Sequence, residues 1–270
     1  MNEAEYSAHP GVRRSELWRI HESPEKYKWF KDHPESETPS LAFGSAAHKM
    51  LLEPKSFGYE YAIAPNVDKR TKVGKEAWDE FLTESSGKTI ISLDEYDQIL
   101  DMATEVQIHP VASELLHGKK EIPFFWTDPD TGIECKIKCD VLVERDGAVT
   151  VVDYKTAANA ETNAFNSKIF QYGYHLQAGM YTEGVMRAMG LTERPGFTFI
   201  VQEKKPPYSV NVIEVPEEVI QYGVDVFREY IGILRDCEQT GYFYGYTGPF
   251  NEPNEAYLPG YLQMGEEDED

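Results

Sequence analysis

The segment from Glu121 to Thr156 constrains the fold of this chain more than any other. It contains three β-prone stretches, EIPFFWTD, IECKIKCDVLVE and AVTVVDYKT, separated by the turn signals DPDTG and RDG. Turns this short connect strands that run antiparallel to each other. The segment therefore predicts three consecutive antiparallel strands.

Helical patterns and two further strands surround this meander. The predicted helices cover residues 13–30, 41–52, 92–117, 167–189 and 216–237. The first has a break near Ser23-Pro24, and the second follows a candidate N-cap at Ser40. The third has a break at Pro110, and its apolar positions are Ile99, Met102, Val106 and Val111. Two more strands, 197–204 and 208–215, are predicted on either side of Pro206-Pro207. This order of elements favours an α/β fold with a mixed central sheet flanked by helices.

The chain shows no internal repeat and no Gly/Ser linker, so we predict one domain over residues 1–262. Its N-terminal part, about 1–118, is helical, and its core is about 119–240. Residues 263–270 form an acidic tail that ends in a block of like charge, Glu266–Asp270. Such a block is typical of a disordered, solubilising end. The alternatives are a mimic of DNA or a docking peptide for a partner.

Composition narrows the class of protein. Hydrophobic residues make up 41% of the 270 residues, yet no apolar run approaches the length of a membrane span, and the start of the chain has no secretory pattern. Three cysteines, Cys135, Cys139 and Cys237, are too few for a disulfide framework and favour a cytoplasmic location. The net charge of −21 argues against a protein that coats nucleic acid non-specifically, but it allows a local basic groove.

The motif VVDYKT carries the first indication of chemistry. Because side chains alternate along a strand, Asp153 and Lys155 project to one face, and Val152 and Tyr154 project to the other. Asp140, one strand earlier, can approach Asp153 across the short RDG turn. Two carboxylates held together suit a hard divalent cation, and a lysine beside them can orient or deprotonate water and stabilise charge on a phosphate. Taken alone, the pattern also fits an Asp/Lys pair on an exposed sheet face.

The order of motifs resembles the RecB/RecE-like branch of the PD-(D/E)XK nuclease superfamily, and especially the RecE (exonuclease VIII) type of phage and prophage exonucleases. The resemblance rests on FGSAAHKMLLEP with His48, on Glu121, on Asp140 in KCDVLVE, on VVDYKT, and on GYHLQAGMY with Gln177 and Tyr181. It spans about residues 12–205. Lys136 and Cys139 depart from it, because they stand where the branch often carries Gly or Arg.

The resemblance implies a restriction-endonuclease-like fold and assigns the expected site residues. The metal-binding residues would be His48, Asp140, Asp153 and Tyr154, and the catalytic residues Lys155, Asp153, Asp140, Glu121, Gln177 and Tyr181. Glu114 is the alternative to Glu121 as accessory carboxylate, and Thr156 is a candidate phosphate contact. The expected cofactor is Mg²⁺, with Mn²⁺ possible. An iron–sulfur cluster is not expected, because its four cysteine ligands are missing.

The implied activity is Mg²⁺-dependent exonucleolytic digestion of double-stranded DNA ends during phage-type recombination. The implied partners are a RecT-like single-strand annealing protein and further copies of the chain in a homo-oligomer, in the cytoplasm of the host cell and with no membrane. Candidate DNA contacts are basic: Arg13, Arg14, Lys26–Lys28, Lys119-Lys120, and a loop KRTKVGK (69–75) with Trp78 available for stacking. A solvated charged loop is the alternative for 69–75.

Three other functions stay open at this point. An endonuclease or structure-selective nuclease could use the same fold, because end selectivity depends on channel shape and oligomerisation. A non-catalytic DNA-binding or assembly protein could also use it, although the intact set of His48, Asp140, Asp153 and Lys155 favours activity. An unrelated enzyme with paired carboxylates would not account for Lys155 and His48 together.

Overall fold

A mixed five-stranded sheet forms the centre of the protein. The structure is a computed structural model and describes residues 3–35 and 38–257. The strands are β3 (Lys119–Thr127), β4 (Glu134–Arg145), β5 (Ala148–Ala157), β6 (Gly196–Glu203) and β7 (Val210–Val215). The first three are antiparallel neighbours, β5 and β6 are parallel, and β6 and β7 are antiparallel. The predicted α/β fold with a mixed central sheet is confirmed.

Helices cover both faces of this sheet. The helices are α1 (Glu3–Ala8), α2 (Arg14–Leu17), a 3-10 helix (Trp18–His21), α3 (Pro24–Asp32), α4 (Pro39–Leu52), α5 (Phe57–Glu60), α6 (Lys72–Glu84), α7 (Leu93–Ile108), α8 (Pro110–Leu115), α9 (Thr162–Gln171), α10 (Tyr174–Met189) and α11 (Glu217–Thr240). Two short parallel strands, β1 (Tyr61–Ile63) and β2 (Thr89–Ile91), form a separate small sheet. A parallel pair needs a crossover connection, and α9 and α10 supply it between β5 and β6.

Two hydrophobic cores lie on opposite faces of the sheet, and β5 contributes to both. Val151 belongs to the core that includes residues of α9, α10 and α11. Val152 and Tyr154 belong to the core that includes residues of α4 and α7. This alternation is the one predicted for VVDYKT. It places Asp153 towards α10, which carries the hydrogen-bond donor Gln177.

Several predicted helix boundaries are confirmed. The break near Ser23-Pro24 is real, because the Ser23 side chain caps α3 by accepting a hydrogen bond from Lys26 N. The break at Pro110 separates α7 from α8. The N-cap of α4 was wrong: it is Thr38 rather than Ser40, because Pro39 occupies the first helical turn and Thr38 accepts from Leu41 N. Val111 is 53% exposed and is not a core position.

Two predictions of local structure were wrong. The helix predicted over 167–189 is two helices, α9 and α10, because Gly173 adopts a left-handed backbone with φ 68° and any side chain there would overlap the Trp18 ring. The basic stretch 69–75 is not a loop throughout, since α6 begins at Lys72 with Thr71 as its cap. The expected acidic tail, 263–270, lies outside the described residues. No helix in the described ranges is long and apolar enough to cross a membrane.

Candidate active site

The site opens where β4 and β5 separate. The antiparallel pairing of these strands runs from Arg145–Ala148 to Val141–Val152 and ends there. Beyond that point the Tyr154 N–H donates to Asp140 Oδ2 at 2.8 Å, so a side chain takes the place of a backbone partner. Asp140 and Asp153 are the first residues past the last pair, and both are buried.

Three side chains from three elements meet at this opening. His48 on α4 has Nε2 3.0 Å from Asp140 Oδ2 and Nδ1 3.6 Å from Glu121 Oε1. One ligand atom each from His48, Glu121 and Asp140 lie within 4.8 Å of one another, so the three could hold a metal ion. Gly44, one turn earlier on α4, faces β5: a Cβ at Gly44 would lie 3.4 Å from Thr156 Oγ1, at van der Waals contact.

The backbone around Glu121 is irregular. Lys120 pairs with Val141 and Ile122 pairs with Cys139, but Glu121, between them, has φ 54° and no strand partner. A left-handed conformation is costly for a residue with a side chain, and such strain concentrates at functional sites. The alternation of faces along β4 slips at the same place, since Cys139 and Leu142, three residues apart, enter one core. The irregularity lies where Glu121 meets the Asp140 cluster.

A second group centres on Asp153. Lys155 Nζ forms an ion pair with Asp153 Oδ2, and Gln177 Nε2 on α10 donates to Asp153 Oδ1. Arg14 Nη2 donates to Gln177 Oε1 at 3.4 Å, and Arg14 Nη1 donates to the Tyr172 carbonyl oxygen at 3.2 Å. Gln177 is buried, so its amide fixes the carboxylate rather than facing solvent.

The charged groups of the cluster shift one another's pKa values. Burial disfavours the charged form of His48, but Asp140 and Glu121 outweigh this and raise the pKa of the imidazole. Burial would raise the pKa of Asp140, yet His48 and Lys155 outweigh it and hold that pKa below its usual value. The pKa of Glu121 is raised, mainly by burial.

Burial and neighbouring charges also shift the pKa values of Asp153 and Lys155. Burial raises the pKa of Asp153 despite the nearby Lys155 ammonium. Burial would lower the pKa of Lys155, but the Asp153 and Asp140 carboxylates outweigh burial and raise it. In this arrangement Lys155 is therefore an ammonium group and a charged hydrogen-bond donor.

The donor set fits a hard divalent cation. Glu121 Oε1 is a buried oxygen without a hydrogen bond, and it faces the Nδ1 atom of His48. A buried carboxylate oxygen left unsatisfied is costly, and a cation at this place would remove the cost. Carboxylate oxygens with one imidazole nitrogen suit Mg²⁺ or Mn²⁺ better than a thiolate-loving metal. The three cysteines are buried, and burial raises the pKa of each thiol.

Three further residues were expected at or near the site: Tyr154, Tyr181 and Glu114. The Tyr154 hydroxyl donates to Gln202 Oε1 at 2.6 Å in the core. Its ring centroid lies 6.3 Å from that of His48, and its backbone N–H donates to Asp140. Tyr181 is half-buried and packs against the core on the α10 face. Glu114, the alternative to Glu121, is exposed and ion-pairs with Arg145, so it does not join the cluster.

A cavity of about 1550 Å³ leads to the cluster. The cavity is lined by His48, Glu121 and Thr156 and by six cationic side chains: Arg14, Lys49, Lys138, Lys155, Lys168 and Lys204. Of the basic residues expected to contact DNA, Arg14 lines this cavity. Lys26, Lys28 and Lys119 form ion pairs with Glu22, Asp32 and Glu144. Lys69 covers the Trp78 ring, with Nζ 2.9 Å from its centroid.

Lys138 is a site residue that sequence reasoning missed. Its Nζ lies 2.6 Å from Glu121 Oε2, so it holds one oxygen of that carboxylate while Oε1 faces His48. The signal was present, because Lys138 stands two residues before Asp140 on the same strand. The neighbouring Lys136 explains why the signal is ambiguous: it is fully buried and donates to backbone carbonyls of the N-terminal segment, Tyr6 and Ser7 among them.

Comparison with known proteins assigns the family. Residues 15–250 match the family described as a PDDEXK-like domain of unknown function (DUF3799), and the chain belongs to it. The crystal structure of a protein from Eubacterium rectale, described as a "Putative exonuclease", is similar over 98% of both chains, with a TM-score of 0.60 and 14% identity. That likeness supports the fold. The crystal structure of SSO0001 matches 85% of this chain and 81% of that protein's chain, at 10% identity and a TM-score of 0.37. No curated protein matches the chain.

Proposed function

We propose that the protein is a divalent-metal-dependent DNA nuclease that degrades duplex DNA from its ends. The observation that carries the proposal is the meeting of the His48–Glu121–Asp140 group with the Asp153–Lys155 pair where β4 and β5 separate. Membership of a PDDEXK-like family supports it, as does the fold shared with a protein described as an exonuclease.

The roles of the residues follow from their contacts. His48, Glu121 and Asp140, with Asp153 beside them, would hold Mg²⁺ or Mn²⁺, which when bound polarises a phosphate oxygen and lowers the pKa of water. Lys155 donates a charged hydrogen bond to the phosphate and so stabilises the negative charge that develops during cleavage. Gln177 keeps Asp153 oriented through its amide.

The finer assignment is to the RecE type of exonuclease. It is supported by the FGSAAHKMLLEP, VVDYKT and YHLQAGMY motifs, whose residues His48, Lys155 and Gln177 lie around one opening. With that assignment we propose double-stranded DNA ends as substrate, a RecT-like annealing protein as partner, a homo-oligomer as the working form and the cytoplasm as its location. The proposed context is phage-type recombination.

Digestion of linear and covalently closed circular duplex DNA with Mg²⁺ tests the proposal. Native protein should degrade only the linear DNA, and both EDTA and Lys155→Ala should abolish the degradation. Lys205→Ala is the matched control, because Lys205 is exposed and does not line the cavity. Cleavage of the circle would favour an endonuclease of this fold. Binding of DNA without cleavage, under both Mg²⁺ and Mn²⁺, would contradict catalysis and leave a DNA-binding protein.

A further inference from the structure

Lys204, the first residue after β6, is a cation at the cavity wall with no acidic partner among the described residues. Its Nζ lies 2.9 Å from Ser40 Oγ and 3.4 Å from the Ser40 carbonyl oxygen. The Phe43 ring centroid is 5.8 Å away. Within residues 3–35 and 38–257, no carboxylate forms an ion pair with it. Burial accordingly lowers the pKa of Lys204, with no opposing contribution.

The lysines nearer the carboxylate cluster differ in this respect. Lys138 is paired with Glu121, and Lys155 with Asp153. Lys49 is paired with two glutamates at the end of α4 and in α5. A partly buried ammonium is costly unless an anion accompanies it. Lys204 therefore has unused capacity for an anionic ligand.

Helix α4 connects Lys204 to the proposed catalytic cluster along one wall. Ser40, Gly44 and His48 are spaced by four residues, so they share a face of the helix, and all three line the cavity. Ser40 contacts Lys204, Gly44 faces Thr156 and His48 contacts Asp140. Eight residues of helix span about 12 Å. Lys204 is thus too far from the cluster to bind the phosphate that is cleaved, but it faces the same cavity.

We infer that Lys204 and Ser40 form a subsite for a DNA backbone phosphate farther along the strand than the cleaved one. Lys204 supplies the charge, and Ser40 Oγ supplies a hydrogen bond from the facing helix. Gly44 places no side chain between the subsite and the cluster. The identity of the ligand rests on the proposed function, whereas the anion-binding character rests on the contacts of Lys204 itself.

The test compares Lys204→Gln with Lys205→Gln, because both remove one positive charge from adjacent residues and only Lys204 lines the cavity. Binding of a fluorescent duplex with a single-stranded overhang is measured in the Lys155→Ala background with Mg²⁺, so that cleavage does not interfere. Lys204→Gln should raise the Kd about tenfold. It should also reduce the slope of log Kd against log salt by about 1. Lys204→Arg should retain most of the affinity, and Lys205→Gln should match the parent.

Kinetics in the otherwise native protein provide a second readout: Lys204→Gln should raise KM and leave kcat nearly unchanged. Ser40→Ala should raise the Kd about threefold, and it carries the test should Lys204→Gln fold poorly. Equal affinities of Lys204→Gln and Lys205→Gln, in a protein whose native form digests DNA, would overturn the subsite and leave the nuclease proposal standing. A native protein that neither binds nor digests DNA would overturn both.

Discussion

Replacement of Gln177 by leucine tests whether α10, the second helix of the crossover, orients Asp153 in the proposed metal site. Gln177 is 3% exposed, and its amide donates to Asp153 Oδ1, which is itself buried. Leucine fills a similar volume but offers no donor, so Asp153 would lose a hydrogen bond that fixes its orientation. Loss of such an outer contact to a ligating carboxylate weakens metal binding about 10–100-fold, which corresponds to about 1.4–2.7 kcal/mol. We expect a loss of Mn²⁺ affinity in this range.

The same substitution should also destabilise the metal-free protein. A buried carboxylate oxygen without its donor costs about 1–3 kcal/mol. Titration calorimetry with Mn²⁺ gives the first quantity, and urea unfolding in EDTA gives the second. Gln171→Leu is the control: Gln171 is exposed on α9, and its side chain accepts a hydrogen bond from Lys168. An unchanged Mn²⁺ affinity in folded Gln177→Leu would refute the reasoning, because Asp153 would then not depend on this amide to bind metal.

Three further predictions concern other parts of the molecule. His48→Ala should abolish calorimetric Mn²⁺ binding while the far-UV spectrum is retained; unaltered binding would remove the imidazole from the proposed ligand set. Gly223→Ala should lower the free energy of unfolding by about 1–3 kcal/mol, because the added methyl overlaps a backbone carbonyl of α10, whereas Gly232→Ala on the same helix meets nothing within 4 Å and should not destabilise. Burial alone would raise the pKa of Asp128, but hydrogen bonds from Arg228 and the following turn lower it. The ionised Asp128 side chain therefore contributes about 1.5–3 kcal/mol to the free energy of unfolding above pH 4, and this contribution is lost as pH falls through the lowered pKa. The stability difference between native protein and Asp128→Asn in urea should therefore shrink below pH 4, and a difference independent of pH would contradict this.

The sheet could be predicted from the sequence because its signals are local. The turns DPDTG and RDG and the alternation in VVDYKT determine the β3–β4–β5 meander, and the structure has those strands. The direction of β6 could not be predicted in this way. It depends on the crossover through α9 and α10, whose boundary at Gly173 is set by the contact with Trp18, a residue 155 positions earlier in the chain.

The proposed site likewise contains residues that the sequence predicted and residues that it did not. His48, Glu121 and Asp140 were selected from motif order, and the structure brings them together. Lys138 and Lys204 were missed, because their value depends on which side chains pair across elements. Lys138 stands out because it pairs with Glu121, and Lys204 stands out because no described carboxylate forms an ion pair with it. The two-residue spacing of Lys138 and Asp140 places both on one face of β4, but it does not identify Glu121 as the partner of Lys138, because that pairing is a tertiary contact.

Under the proposed function, the acidic composition of the chain would confine DNA binding to the cavity. A net charge of −21 repels DNA from most of the surface. The cavity nevertheless has three cations with no carboxylate partner among the described residues: Arg14 from α2, Lys168 from α9 and Lys204 after β6. They come from separate elements around one opening, so a strand that enters it meets uncompensated positive charge on several sides. Attraction confined to the cavity and repulsion elsewhere would restrict binding to DNA that can enter it, which a strand end does more readily than an uninterrupted duplex. Exonucleolytic selectivity would then arise partly from charge placement, before any contribution from oligomer shape.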